Sequence, residues 1–176
     1  YALISALAGR TLKDTDAKLA LLAVGDDDQN IYAFRQTSNE FIRRFQEDYQ
    51  AKTDFLVENY RSSRNIIDAA NRMISANAER MKKDHPIRIN HARSADPAGG
   101  RWDRIDALSR GRVHILAVPN DAIGQAEIIM AEITRLKSLN ANSDWSDFAV
   151  LARNRITLGP IRAWCELHGI RYTSTD

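Results

Sequence analysis

A single cysteine, Cys165, means that no disulfide can form within this chain. That fits a reducing compartment, and a cytoplasmic location is the expectation. The four histidines, His85, His91, His114 and His168, share no zinc-ligand spacing with one another or with Cys165, which argues against a His/Cys metal centre. No apolar run approaches the length needed to cross a bilayer, so a membrane is not an expected partner. The first residues, YALISALAGRTLKD, lack the basic start and cleavage pattern of a secretory signal. None of the eight glycines is followed by lysine, so there is no G-x-x-x-x-G-K-[ST] loop to cradle phosphates. A P-loop ATPase cannot be assembled from these residues alone. There is also no internal repeat of fixed period and no low-complexity tract.

What is present is ordinary for a folded protein: 44% apolar and 27% charged residues argue against disorder. A net charge of +2 does not by itself diagnose a nucleic-acid partner. The basic residues are unevenly spread, with nine Lys or Arg against four Asp between Arg80 and Arg112. Such a stretch meets phosphates in some proteins, but it is more commonly a solvated surface.

The pattern along the chain alternates between helix and strand. Tyr1–Leu7 has the apolar spacing of a helix already under way, ended by Gly9. Leu19–Val24, apolar without alternation, predicts a strand covered on both faces. Ser38–Tyr49 predicts an amphipathic helix behind the capping box Thr37–Glu40. A short strand is expected over Phe55–Glu58, then a helix after Ser62 or Ser63 that buries Ile66, Ile67, Ala70, Met73 and Ile74. Residues 84–112 carry Pro86, Pro97, Gly99, Gly100 and Gly111 with little periodicity and read as a connecting segment. Beyond it, Val113–Val118 and Phe148–Ala152 predict strands. Asp121–Leu139 predicts a helix facing inward through Ala126, Ile129, Ile133 and Leu136. A further helix ends at His168, with Gly169 at C′ and Ile170 as its hydrophobic partner. The fold class is α/β, with a parallel sheet and helical crossovers.

Two stretches collect chemistry at strand ends, where open α/β sheets place their ligands. Leu19–Arg35, LALLAVGDDDQNIYAFR, runs an apolar strand into three carboxylates, an amide, aromatics and an arginine. Glu58–Arg64, ENYRSSR, delivers an aromatic and an arginine to the start of a helix, and the two loops are expected to form one site. Asp26-Asp27-Asp28 suits either a hydrated magnesium ion or a loop whose carboxylates bond backbone N–H groups. Spacing alone does not separate these. Adjacent carboxylates repel, so each needs solvent, a basic partner or an N–H donor. Read as plain structure, Tyr32, Phe34 and Tyr60 are packed aromatics and Arg61 is an ion-pair partner for the aspartates.

VGDDDQNIYAFR at Val24–Arg35, ENYRSS at Glu58–Ser63 and the helix NIIDAANRMI at Asn65–Ile74 resemble motifs III and IV of the Rep/UvrD/PcrA branch of superfamily 1 DNA helicases. Both motifs stand in order at the family's spacing. Gln125–Leu136 and FAVLAR at Phe148–Arg153 resemble the entry into the second motor domain. Related nuclease–helicase subunits more often carry a proline and a lysine in the carboxylate loop, so DDDQ favours the plain helicase branch.

The resemblance implies an incomplete RecA-like P-loop NTPase architecture. Residues 1–83 would be the carboxyl half of the first motor domain, 84–112 a connection and 113–176 the start of the second. It implies that Gln29 senses the γ-phosphate of ATP, that Arg61 is an arginine finger and that Tyr60 stacks on adenine. Tyr32, Phe34, Arg35 and Arg153 would face single-stranded DNA. ATP and Mg²⁺ are the implied cofactors, engaged largely through a Walker A loop and a DExQD box that these residues do not contain. Single-stranded and duplex DNA are the implied partners. The chain departs from the family at Asn30, Phe34 and Gln36-Thr37, and again at Asn154-Arg155. Gln36 replaces a glycine and restricts the backbone after the DNA-facing arginine. The expectation is an internal piece of an ATP-dependent helicase, translocating 3′ to 5′. Two alternatives stand beside it: a non-catalytic nucleic-acid-binding module that keeps these motifs, and the helicase part of a recombination nuclease.

Overall fold

The structure, a computed structural model, describes residues 2–11, 13, 18–30, 40–118 and 121–174. It divides into two units, Tyr1–Tyr60 with Ile67–His91 and Arg61–Ile66 with Ala92–Asp176. Architecture is mixed helix and strand, with one small parallel sheet among the described residues.

In the first unit, α1 (Ala2–Leu7) is tied to α2 (Glu40–Tyr49) by polar contacts. Arg10 donates to both oxygens of Asp48 at 2.9 and 2.7 Å, and the Tyr49 hydroxyl donates to Ser5 Oγ at 3.1 Å. The capping box expected to start α2 lies mostly outside the described residues. β1 (Glu58–Asn59) pairs in parallel with β2 (Arg88–Ile89), in the register Glu58↔Arg88 and Asn59↔Ile89. Parallel neighbours require a crossover, and α3 (Arg64–Ile74) is the helix within it. Asn71 fastens that helix to the sheet by donating from Nδ2 to the Ile87 carbonyl at 2.7 Å. The inward face of α3 therefore runs Ile67, Asn71, Ile74, whereas Ile66 is 49% and Met73 78% exposed.

Three expected strands do not form among the described residues. Leu19–Val24, Val113–Val118 and Phe148–Ala152 have no strand partner among the described residues, and Leu22, Ile115 and Leu151 are each more than 90% exposed. An apolar run encodes a need for cover, but a strand exists only where a neighbour completes its hydrogen bonds. The strand expected over Phe55–Glu58 forms only at its far end, as β1. Its partner β2 lies in the stretch that showed no periodicity, because two residues leave no pattern to read.

In the second unit, α5 (Ala122–Ser138) packs on α6 (Gly159–Leu167) around buried Ala126, Met130 and Cys165. Asp121 starts α5 by accepting from the Gly124 N–H at 2.6 Å. Ile129, expected inside, is 37% exposed, and Met130 takes its place one turn after Ala126. The end of α6 is as the sequence predicts. Gly169 adopts φ +65°, its N–H bonds to Glu166, and the Ile170 N–H bonds to Cys165 at 2.8 Å.

The connection to α5 carries α4 (Trp102–Ile105) and an ion-pair anchor. Asp106, 2% exposed, accepts two bonds from Arg135 of α5 at 3.1 and 2.8 Å and two from the backbone N–H groups of Leu108 and Ser109. Gly99 and Gly111 pass back to back beside it. A Cβ on Gly99 would lie 2.0 Å from the Arg110 carbonyl oxygen.

Candidate functional site

The acidic loop folds as a 3-10 turn, Asp27–Gln29, with Asp26 as its N-cap. Asp26 Oδ1 accepts from the Asp28 N–H at 3.2 Å, which satisfies a donor that the turn leaves open. Asp26 Oδ2 accepts from Gln29 Nε2 at 2.6 Å. A carboxylate can only accept, so this bond also fixes which end of the Gln29 amide is nitrogen. One hydrogen of that nitrogen is used. The other, and the amide oxygen, belong to an exposed side chain.

All three carboxylates find donors on a second strip of chain. Arg80 donates to both oxygens of Asp28 at 2.8 and 2.7 Å, the Met81 N–H donates to Asp27 at 2.7 Å, and Lys82 donates to Asp26 at 2.5 Å. Lys82 also stands 3.7 Å from Asp28. The pairing is antiparallel, residue for residue, and Arg80 and Lys82 are largely buried by it. The Arg80 guanidinium holds Asp28 below the usual carboxylate range, against a smaller opposing effect of burial. Burial pushes Asp26 upward, yet the bonds from Lys82 and Gln29 together outweigh it and leave the shift downward.

The oxygens of these aspartates come within 4.8 Å of one another, close enough to share a cation. The donor set does not favour a resident magnesium ion, because an arginine and a lysine already offset two of the three negative charges and a backbone N–H occupies the third carboxylate. Of the two readings open from the sequence, that of carboxylates bonded to the loop's own backbone holds for Asp26 alone among the described contacts. The partners, however, are Arg80 and Lys82. In the sequence these two residues stand only at the start of a basic segment. The available signal was that three consecutive acids require three donors placed in step.

Tyr60 follows β1 and is 70% exposed, with its hydroxyl 3.4 Å from Glu58 Oε2. Glu58 itself is held by Asn90 Nδ2 at 2.6 Å. Arg61 begins the other unit's share of the chain and is exposed. The segment behind it is pinned from the backbone outward. Arg93 donates to the Ser62 carbonyl at 3.2 Å, Arg64 to the Ser94 carbonyl at 2.6 Å, and the Asn65 N–H to Ala98 at 2.9 Å. Asn65 Nδ2 adds a bond to the Gly111 carbonyl at 3.1 Å. Arg153 sits exposed in a bend after Phe148–Ala152. Tyr32, Phe34 and Arg35, assigned to DNA from the sequence, lie outside the described residues.

In the first unit, Gln29 offers an exposed amide of fixed orientation and Tyr60 an exposed ring, and in the second Arg61 is exposed ahead of a pinned segment. They do not make a phosphate cradle. Comparison with known families gives the context. Residues 1–50 match the UvrD/REP helicase N-terminal domain, and residues 55–175 match the UvrD-like helicase C-terminal domain. The chain belongs to the UvrD-like helicase family.

Among its relatives, the ATP-dependent DNA helicase PcrA of Staphylococcus epidermidis is 34% identical over 134 residues, 76% of this chain and 16% of the relative. The ATP-dependent DNA helicase UvrD1 of Mycobacterium tuberculosis is 44% identical over 84 residues, 47% of this chain and 11% of the relative. DNA helicase II of Haemophilus influenzae is 40% identical over 84 residues, 48% of this chain and 11% of the relative. The chain thus spans a small part of the length of the UvrD-like helicases it matches. Among the described residues, no helix is long and apolar enough to cross a membrane.

Proposed function

We propose that this chain is the part of an ATP-dependent DNA helicase that senses the nucleotide, supplies an arginine finger and carries a share of the single-stranded DNA track. The observation that carries the reading is Gln29, whose exposed amide is held in one orientation at the end of a capped, ion-paired turn. ATP supplies the phosphoanhydride whose hydrolysis drives the cycle. Gln29 offers its remaining amide hydrogen to a γ-phosphate oxygen, a contact that reports the phosphate's presence without fixing its charge. Tyr60 presents its ring to the adenine. Arg61 meets the charge that builds up during phosphoryl transfer, and a planar guanidinium can do so through two donors at once.

Residues 31–35 follow Gln29 and Asn30 in the sequence, so one short stretch of chain would touch nucleotide at one end and DNA at the other. There Tyr32 and Phe34 stack on bases and Arg35 holds a phosphate or base, with Arg153 adding a further contact. Mg²⁺ would enter with the nucleotide and be held by residues other than Asp26, Asp27 and Asp28. Translocation would run 3′ to 5′. The division of labour we propose is residues 1–83 in the first motor domain and 113–176 in the second, with 84–112 between them.

The purified 176-residue chain is expected to show no ATP turnover above background, with or without single-stranded DNA, since it has no glycine–lysine loop. Robust hydrolysis by this chain would overturn the reading. A second reading is a non-catalytic DNA-binding module that keeps these motifs. A longer protein containing this chain separates the two: the helicase reading requires DNA-stimulated ATPase activity, and the module reading requires DNA binding without it.

A further inference from the structure

We propose that Arg80-Met81-Lys82 is a positioning strip for Gln29, setting the direction of its amide through Asp26 and so setting the rate of turnover without contacting nucleotide. This rests on the reading of Gln29 as the nucleotide sensor. Its geometry is a relay with two sides of one carboxylate. Lys82 Nζ binds Asp26 Oδ1 at 2.5 Å, and Gln29 Nε2 binds Asp26 Oδ2 at 2.6 Å. A carboxylate is planar, so fixing one oxygen with a cation fixes where the other points. Next to it, Arg80 clamps Asp28 through both oxygens and the Met81 N–H holds Asp27, which locks the backbone of the turn that bears Gln29.

The chemistry explains why charge is needed on both sides. Three neighbouring carboxylates would repel one another and splay the turn. Two cations and an N–H, spaced one residue apart, offset much of that repulsion and give each carboxylate a donor in step. The arrangement also differs from a surface ion pair, which is mobile and screened: the Arg80 and Lys82 side chains are 7% and 14% exposed. Lys82 touches two aspartates, at 2.5 and 3.7 Å, so its removal loosens the turn and the relay together.

The test uses two measurements. In the 176-residue chain, the side-chain amide resonances of Gln29 are recorded by NMR for wild type, Lys82→Met and Lys82→Arg. Lys82→Met is expected to shift them toward free glutamine, and Lys82→Arg to restore them. Lys82→Gln, which keeps a donor without the charge, takes its place should Lys82→Met not fold. In the longer helicase, Lys82→Met is expected to lower kcat between about tenfold and a hundredfold with KM for ATP nearly unchanged. In a Gln29→Ala background it is expected to cost nothing further.

Unchanged Gln29 resonances in Lys82→Met overturn the proposal, as does a kcat loss that multiplies with that of Gln29→Ala. A normal kcat in Lys82→Met alongside a low one in Gln29→Ala also overturns it. Shifted resonances with a normal kcat in Gln29→Ala itself would support the strip and overturn the sensor reading instead.

Discussion

In the helicase that we propose carries this chain, Arg61→Ala lowers kcat for ATP by about a thousandfold or more and leaves ATP binding largely intact. The asymmetry follows from when the guanidinium acts. Charge builds on the transferring phosphoryl group and its leaving oxygen only as the reaction proceeds, so a cation aimed there stabilises the transition state more than the bound substrate. Removing an interaction made only in the transition state lowers kcat and kcat/KM together. Arg61→Lys is not expected to rescue, because an ammonium is a point charge without the paired, coplanar donors of arginine. The pinning of residues 62–65 matters for the same reason. Bonds from Arg93, Arg64 and Asn65 hold the backbone beside Arg61, so a finger at that position would start from a fixed base. Equilibrium binding of a non-hydrolysable ATP analogue, set beside steady-state turnover, checks the split. Equal losses in both would assign Arg61 to ground-state binding.

The second large effect is on stability. Asp106→Ala lowers the melting temperature of the chain by on the order of 10 °C, because it removes one partner of a buried, bonded charge pair and strands the others. Asp106 serves Arg135, Leu108 and Ser109 at once, and joins the loop after α4 to the last turn of α5. Arg135 keeps Glu132, at 2.7 Å, so its guanidinium is not left wholly unpaired. The two backbone N–H groups lose their acceptor outright. Asp106→Asn keeps an oxygen for those N–H groups and is expected to cost less than half as much.

Acid acts on the same anchor. Arg135, opposing a smaller effect of burial, pulls the Asp106 carboxyl far below its ordinary value of 3.8. A carboxyl whose folded value lies below its unfolded one adds stability above the unfolded value, and that stability is lost as pH falls toward the folded one. Melting temperature should therefore drop on acidification below about pH 4, and Asp106→Asn should flatten that drop. A melting temperature of Asp106→Ala within a degree or two of wild type would contradict the anchor role.

The helices were legible because their information is local. Apolar spacing marks α2, α3 and α5, and the Gly169-Ile170 pair marks the end of α6 within two residues. Which face turns inward was less legible. Asn71 is half-buried on α3 because the Ile87 carbonyl needs a donor, and Met130 replaces Ile129 on α5 because α6 lies a little further round the helix. Strands failed for a different reason. An apolar run such as Leu19–Val24 states that it prefers cover but not what provides it, whereas β2, at two residues, carries no pattern at all.

The acidic turn shows the limit most plainly. Its position after an apolar run, and the amide at its end, could be read from adjacent residues. Its partners could not, since Arg80 and Lys82 lie 52 and 56 residues away from the aspartates they bind. Three carboxylates that look like a metal site in sequence are, in the fold, the acidic half of an ion-paired turn.

We propose that Gln29 passes the state of the nucleotide to Tyr32, Phe34 and Arg35, the residues assigned to DNA. Coupling between two ligands is a difference in affinity and must appear in either direction. The direct measurement is single-stranded DNA affinity of the longer helicase with ADP and with a non-hydrolysable ATP analogue, for wild type and Gln29→Ala. The account predicts that wild type binds DNA with different affinity in the two nucleotide states and that Gln29→Ala brings the two affinities together. A Gln29→Ala protein that binds both nucleotides and keeps the full wild-type difference would contradict it.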